Sequence, residues 1–226
     1  IPDVFQTLDE PMADASIIPT YLLSKMTSQH VKVSLGGDGS DELFAGYPTY
    51  QAHKLVTYYS VLPYKLRDMI NRAAQHLPVS YKNISFDFKV KQFLRGMGVS
   101  SEIRFFLWMG SFLEREKQQL FSKDVWEEQI LGMNPFEDVI RYVSDSNLYQ
   151  EFERILYLCM KLYLQDDILV KVDRASMANS LEVRVPFLDH TFVEYAAQLP
   201  SLYKLNGFTT KYLLKKSVAD LLPEDI

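Results

Sequence analysis

The chain has 226 residues, 47% of them hydrophobic and 23% charged, with a formal net charge of -5. That length and balance suit a soluble protein able to bury a real core, as one large domain or two small ones. The acidic balance and the lack of Lys/Arg clusters exclude a nucleic-acid binder and a basic membrane-surface module. No apolar run reaches the roughly 20 residues of a membrane span, and a single cysteine, Cys159, leaves no internal disulfide and points to a reducing compartment, the cytoplasm.

The chain opens on Ile1 rather than methionine, which reads as the start of a piece of a longer protein. The first element is a helix over about Ile17–Ser28, with Asp14 or Ser16 as N-cap and Pro19 tolerated in the first turn. Val31-Lys32-Val33-Ser34-Leu35 alternates apolar and polar residues, the period of a short strand. Gly36-Gly37-Asp38-Gly39-Ser40 then forces a backbone bend, and a helix is expected from Asp41 through Leu43, Phe44 and Tyr47 towards Tyr58. Helical patterns follow at Tyr64–His76, Glu102–Trp108, Ser122–Ile130, Pro135–Ser144 and Asn147–Tyr163, with the aromatic run FFLWMGSF read as helix-packing core. Residues 165–189 read as a charged, irregular segment, followed by a short helix to Leu199 and a last helix over about Thr210–Leu222. No linker divides the chain. One strand among many helices predicts a predominantly helical α/β fold with only part of its sheet present.

Three segments carry chemistry. In VKVSLGGDGSDELFAGY (31–47), Gly36, Gly37 and Gly39 allow close backbone approach to a ligand, and Ser40 opens a helix whose N–H groups suit phosphate. Asp38, Asp41 and Glu42 would repel bare phosphate, so the combination makes sense with Mg²⁺ between carboxylate and phosphate oxygens, chiefly at Asp38 and Asp41. The plain structural reading is that Ser40 is an N-cap and that Asp41 and Glu42 are first-turn acids. The loop lacks P-loop spacing. In LQDDILVKVDRASMANSLEVRVPFLDH (164–190), charges alternate so closely with apolar residues that several are expected to pair inside the protein, as an active site or as a structural network. In GFTTKYLLKK (207–216), Thr209 or Thr210 as N-cap would put Lys211 in a first helical turn, where a cation opposes the dipole unless an anion is near. Lys215 would fall on the same face. The four histidines show no metal-ligand spacing, and Cys159, in ILYLCMKLYL, reads as a core residue.

DEPMADASIIPTYLLS (9–24), LGGDGSDELFAGY (35–47), LVKVDRASMANSLEVRVPFLDH (169–190) and TKYLLKK (210–216) together resemble, in order, the synthetase-domain motifs of the asparagine synthase (glutamine-hydrolysing) family. The resemblance spans almost the whole chain. It implies an adenine-nucleotide α-hydrolase-like (PP-loop ATPase) domain that activates aspartate with ATP and Mg²⁺ to β-aspartyl-adenylate and pyrophosphate. Ammonia from a separate glutaminase domain would then yield asparagine and AMP.

By that resemblance Asp41 is similar to the loop aspartate that reaches Mg²⁺ and pyrophosphate, and Lys211 to the lysine that binds departing pyrophosphate. Asp38 stands where many members carry glutamate, and Gly36 where many carry serine. Asp167, Asp173, Arg174, Glu182 and Arg184 match the family's charged motif, as substrate contacts or as supports of the fold. The family's Ser-Gly-Gly-x-Asp-Ser loop and its glutaminase domain are not in these 226 residues. The chain alone is therefore expected to be inactive, and its exposed strand edge to favour self-association into a homo-oligomer. Two other readings stand beside this one. One is a related amidotransferase or β-lactam-forming synthetase acting on another carboxylate; the other is a noncatalytic helical binding module.

Overall fold

The computed structural model describes residues 2–80, 85–110 and 112–223; Ile1 and Ser111, which fall in segments read above, lie outside them. The chain forms two compact units, one made of residues up to Tyr47 together with those from Leu156, the other of Pro48–Ile155.

The first unit opens with α1 (Pro2–Phe5), α2 (Ile17–Thr27), β1 (Val33–Leu35) and α3 (Ser40–Phe44). At the start of α2 neither expected cap works through its side chain in the expected way. Ser16 is already helical, at φ -69° and ψ -9°, with no side-chain cap bond. Asp14 Oδ1 instead accepts from the Ser16 N–H at 2.8 Å. β1 keeps only the last three residues of the alternating run. The helix expected from Asp41 towards Tyr58 is two helices. α3 ends at Phe44 because Ala45 turns left-handed, at φ 54°, and Pro48, which lacks an N–H and suits a first helical position, begins α4.

The second unit consists of α4 (Pro48–Val61), α5 (Tyr64–Gln75), α6 (Phe86–Arg95), α7 (Ser101–Met109), α8 (Glu114–Leu120), α9 (Lys123–Val125), a π-helical turn (Trp126–Ile130), α10 (Glu137–Asp145) and the first part of α11 (Glu151–Leu158). The hydroxyls of Ser100 and Ser122 cap α7 and α9 by accepting from the N–H groups of Ile103 and Val125. The aromatic run packs as core, as its composition implies: Phe105 and Trp108 are buried, and the Tyr50 ring lies 5.5 Å from Phe105 and 5.7 Å from Phe152.

The chain stays helical from α11 through a π-helical stretch (Cys159–Ile168) into α12 (Leu169–Met177). Residues 165–189 are therefore not irregular: they are helix to Met177, then β2 (Glu182–Arg184) and a 3₁₀ turn (Pro186–Leu188). β2 lies parallel to β1 with Val33 opposite Glu182, Ser34 opposite Val183 and Leu35 opposite Arg184. α13 (His190–Gln198) starts at an Asp189 carboxylate that accepts from the N–H groups of Thr191 and Phe192. After α14 (Ser201–Lys204), β3 (Leu205–Asn206) pairs antiparallel with β4 (Thr209–Thr210), and α15 (Tyr212–Val218) follows. The two threonines thus serve a hairpin turned at Gly207, φ 57°, and not a helix cap. Lys211 itself is the N-cap of α15, left-handed at φ 50°.

Two small cores hold this unit. Val4, Ile17 and Ala175 join α1, α2 and α12, with Leu8, Met12 and Tyr21 packed around them. Leu43 and Phe44 of α3 meet Ala196 of α13 and are walled by Met160, Phe187, Phe192 and Leu214. Cys159 is fully buried, as a core residue should be. The result is a predominantly helical α/β fold with short sheets.

Candidate functional site

The glycine-rich bend leaves β1 at its carboxyl end and climbs into α3, the place where open parallel sheets present ligands. The Gly36 N–H donates to the Arg184 carbonyl at 2.8 Å and so carries the β1–β2 pairing one residue further. Gly39 sits at φ 86°, and a Cβ there would lie 2.3 Å from Leu188 Cδ2, so the bend is seated tightly on the 3₁₀ turn. At Gly37 a Cβ would meet nothing within 4 Å, which leaves this face of the loop open.

Three predicted residues come together at the start of α3. Lys211 Nζ stands 3.0 Å from Ser40 Oγ, to which it donates, and 3.0 Å from Asp41 Oδ1. The backbone fixes this meeting, because the Lys211 N–H donates to the Phe44 carbonyl at 3.1 Å. The left-handed turn at Ala45 brings the Gly46 backbone against the pair. A side chain at that position would stand 1.8 Å from Asp41 Oδ1 and 2.3 Å from Lys211 Cε.

Asp38 lies nearby in sequence but opens on a different feature. Its Oδ2 occupies the space beside Gly36, 3.0 Å from where a Cβ would be. Both residues line a cavity of about 370 Å³ with Ser34, Ser24, Lys171 and Val183. Gly36 therefore makes room for the Asp38 carboxylate.

The charged segment is distributed rather than gathered. Lys171 is buried and its Nζ bonds Asp14 Oδ2 at 2.7 Å, tying α12 to the residues before α2. Asp167 is half-buried; burial pushes its carboxyl above the usual range, the Asp14 charge adds to this and Lys171 opposes it. Burial also acts upward on Asp14, but its hydrogen bonds from Lys171 and Ser16 together hold it below the ordinary carboxylate value. Asp173, Arg174, Glu182 and Arg184 form surface ion pairs: Arg174 with Asp9 and Asp173, and Arg184 with Glu182 at 2.7 Å. Among the described residues the interior pairing expected of this segment falls on Lys171, and its partner comes from another part of the chain. Lys215 is exposed on α15, with no ion pair among the described residues.

Three contributors were not singled out from the sequence: Asp14 as an ion-pair partner, Gly46 and Tyr47. The Tyr47 hydroxyl donates to Glu42 Oε1, and Glu42 is buried with 2% exposure. Burial pushes the Glu42 carboxyl up, against the Tyr47 bond, while burial and the neighbouring Glu42 push the Tyr47 hydroxyl up. Gly46 and Tyr47 close the motif LGGDGSDELFAGY, and no local pattern told what either touches.

Fold and site define a mostly helical α/β protein with a cation–carboxylate–hydroxyl cluster at the end of a parallel strand. The chain belongs to the asparagine synthase family, whose model matches residues 1–226. Asparagine synthetase (glutamine-hydrolyzing) 1 of Bacillus subtilis (strain 168) is 30% identical over 230 residues, covering 100% of this chain and 34% of that protein. Asparagine synthetase (glutamine-hydrolyzing) 3 of the same organism is 33% identical over 134 residues, 54% of this chain and 20% of that protein. The Gallus gallus asparagine synthetase (glutamine-hydrolyzing) is 44% identical over 87 residues, 37% of this chain and 14% of that protein. The chain spans about a third of the length of the curated relatives that it matches over its whole length. No solved structure is a significant match.

Proposed function

We propose that this chain is the larger part of an ATP-using synthetase domain, of the PP-loop ATPase type, in a glutamine-dependent asparagine synthetase of the cytoplasm. In this reading an oxygen of the aspartate β-carboxylate attacks the α-phosphorus of ATP, pyrophosphate leaves, and β-aspartyl-adenylate forms. Ammonia supplied by a glutaminase domain then attacks the activated carboxyl carbon, and AMP leaves as asparagine is made. The observation that carries the reading is the meeting of Ser40, Asp41 and Lys211 beneath the glycine-rich bend, from positions 171 residues apart.

Asp41 beside Lys211, or Asp38 at the neighbouring cavity, would hold Mg²⁺. Asp38 and Asp41 offer hard carboxylate oxygens, and among the described residues no three His, Cys, Asp or Glu converge as they would in an all-protein metal cage. Two carboxylates at most, with substrate phosphates and water completing the shell, is how Mg²⁺ is usually held. When bound, the ion supplies positive charge against that developing on pyrophosphate. Lys211 adds a second cation, and its αL backbone and the Phe44 carbonyl aim it without relying on the α15 helix. Ser40 and Asp41 hold the ammonium until phosphate oxygens replace them as acceptors.

Aspartate-dependent ATP–pyrophosphate exchange tests this in the intact gene product that carries the chain. Lys211→Ala and Asp41→Asn should each lower exchange by about 10²-fold or more, the usual loss for a preorganised charge-stabilising group. Exchange that ignores aspartate and responds to another acid would move the enzyme to a sister amidotransferase or β-lactam-type synthetase. No exchange with any acid would leave the noncatalytic module as the reading to pursue.

A further inference from the structure

We infer that Glu42 and Tyr47 are positioning residues, whose buried hydrogen bond closes the corner at Ala45 and so holds the Asp41–Lys211 pair in place. The inference rests on the reading of that pair given above. α3 has five residues and ends in a left-handed alanine that is fully buried, at φ 54° and 0% exposure. A non-glycine residue persists in that region only where its surroundings over-determine it. Two bonds do so here. The Gly46 N–H returns to the Asp41 carbonyl at 2.8 Å, and the Tyr47 hydroxyl reaches back to Glu42, five residues earlier.

Tyr47 also packs against Tyr163 of the π-helical stretch, its ring 5.7 Å away and nearly edge-on. The corner in turn forms the wall on which the pair rests. Asp41 Oδ1 and Lys211 Cε fill the space that a side chain at Gly46 would take, and the Phe44 carbonyl immediately before the corner receives the Lys211 N–H. Opening the corner would move the wall, the carbonyl and both charged groups together. Glu42 lies next to Asp41 in sequence, yet its carboxylate is spent on Tyr47 inside the protein, with the like charges of Asp41 and Asp38 adding to the pressure of burial on it. What the site requires of Glu42 is an acceptor oxygen at that point, not a charge on substrate or metal.

That distinction makes the inference testable in the intact gene product. The amide oxygen of Glu42→Gln can still accept from Tyr47, whereas Glu42→Ala and Tyr47→Phe each remove the bond. The readouts are the kcat and ATP KM of exchange, and the labelling rate of Lys211 by an amine-acylating reagent with exposed Lys25 as internal standard. Glu42→Gln should stay within about 3-fold of the parent in both. Glu42→Ala and Tyr47→Phe should lose about 10-fold in kcat at near-constant ATP KM, as displaced catalytic groups do, and should label Lys211 several times faster relative to Lys25. Glu42→Gln as inactive as Glu42→Ala would overturn the inference by showing that the charge itself is needed. Unchanged labelling and exchange in Tyr47→Phe would overturn it too. A parent that catalyses no exchange with any acid removes the functional reading, while the labelling arm still decides whether the corner holds the pair.

Discussion

A methyl group at residue 46 would overlap Asp41 Oδ1 and Lys211 Cε, at 1.8 and 2.3 Å. Gly46→Ala should therefore push the pair apart while leaving most of the core untouched. The expected outcome is a loss of exchange of about 10²-fold, the scale of an ångström-level displacement of reacting groups, with a fall of a few degrees in Tm. A second residue sets a pH dependence in the other unit. His53 is 7% exposed, packs 4.7 Å from the Trp108 ring, and has no partner on either ring nitrogen. Burial, with Arg104 adding and Glu102 opposing, lowers its pKa from 6.5 to about 3. The folded protein keeps the ring neutral, while the unfolded chain takes up a proton as pH drops below 6.5. This contribution to stability is thus complete above the unfolded value and falls by about 1.4 kcal/mol per pH unit towards 3, roughly 2 kcal/mol at pH 5. Urea midpoints at pH 7 and pH 5 check it: His53→Leu should lose this part of the acid sensitivity, and an unchanged difference would refute the assignment.

Among the elements, β1 and α2 were legible from their apolar patterns, whereas β2 was not. Leu181-Glu182-Val183-Arg184-Val185 alternates as β1 does, but the surrounding charges masked a strand of only three residues. The break between α3 and α4 depends on a left-handed alanine, which no propensity predicts. The π-helical stretch inside a run that reads as plain helix gives no sequence warning either. α12 is joined to the residues before α2 by the Lys171–Asp14 pair, whose side chains are 10% and 21% exposed. Lys171→Met should destabilise the protein by about 3 kcal/mol, less than the full cost of a completely buried orphan charge because Asp14 reaches some solvent. Asp14→Leu combined with Lys171→Met should recover most of that loss in denaturant titration. A single Lys171→Met variant as stable as the parent would show that the pair is dispensable.

For the whole molecule, the consequential feature is the exposed apolar side chains of α2 and β1 in the first unit. Leu22, Leu23 and Met26 of α2 and Val31, Val33 and Leu35 at β1 are all exposed, Leu35 by 75%, and among the described residues β1 pairs only with β2. Parallel strands normally lie inside a sheet covered on both faces, and a bare edge beside apolar side chains recruits other chains. The 226-residue chain expressed alone should therefore sediment as oligomers or aggregates, and Leu35→Lys should shift it towards monomer. Monodisperse monomer at tens of micromolar would refute this. No described helix is long and apolar enough to cross a membrane.

The sequence by itself determined the family, through four motifs in order, and the glycine bend with its acids, because local backbone freedom and residue type are written into contiguous residues. It also marked Lys211 and the aromatic core of the second unit. Only the tertiary structure decided that Lys211 joins Ser40 and Asp41, that Lys171 pairs with Asp14 while most of the charged motif stays on the surface, and that Tyr47 closes on Glu42. Such pairings depend on how separate elements pack and which face each turns inward, so residues 157 or 171 positions apart meet for reasons that no local pattern contains.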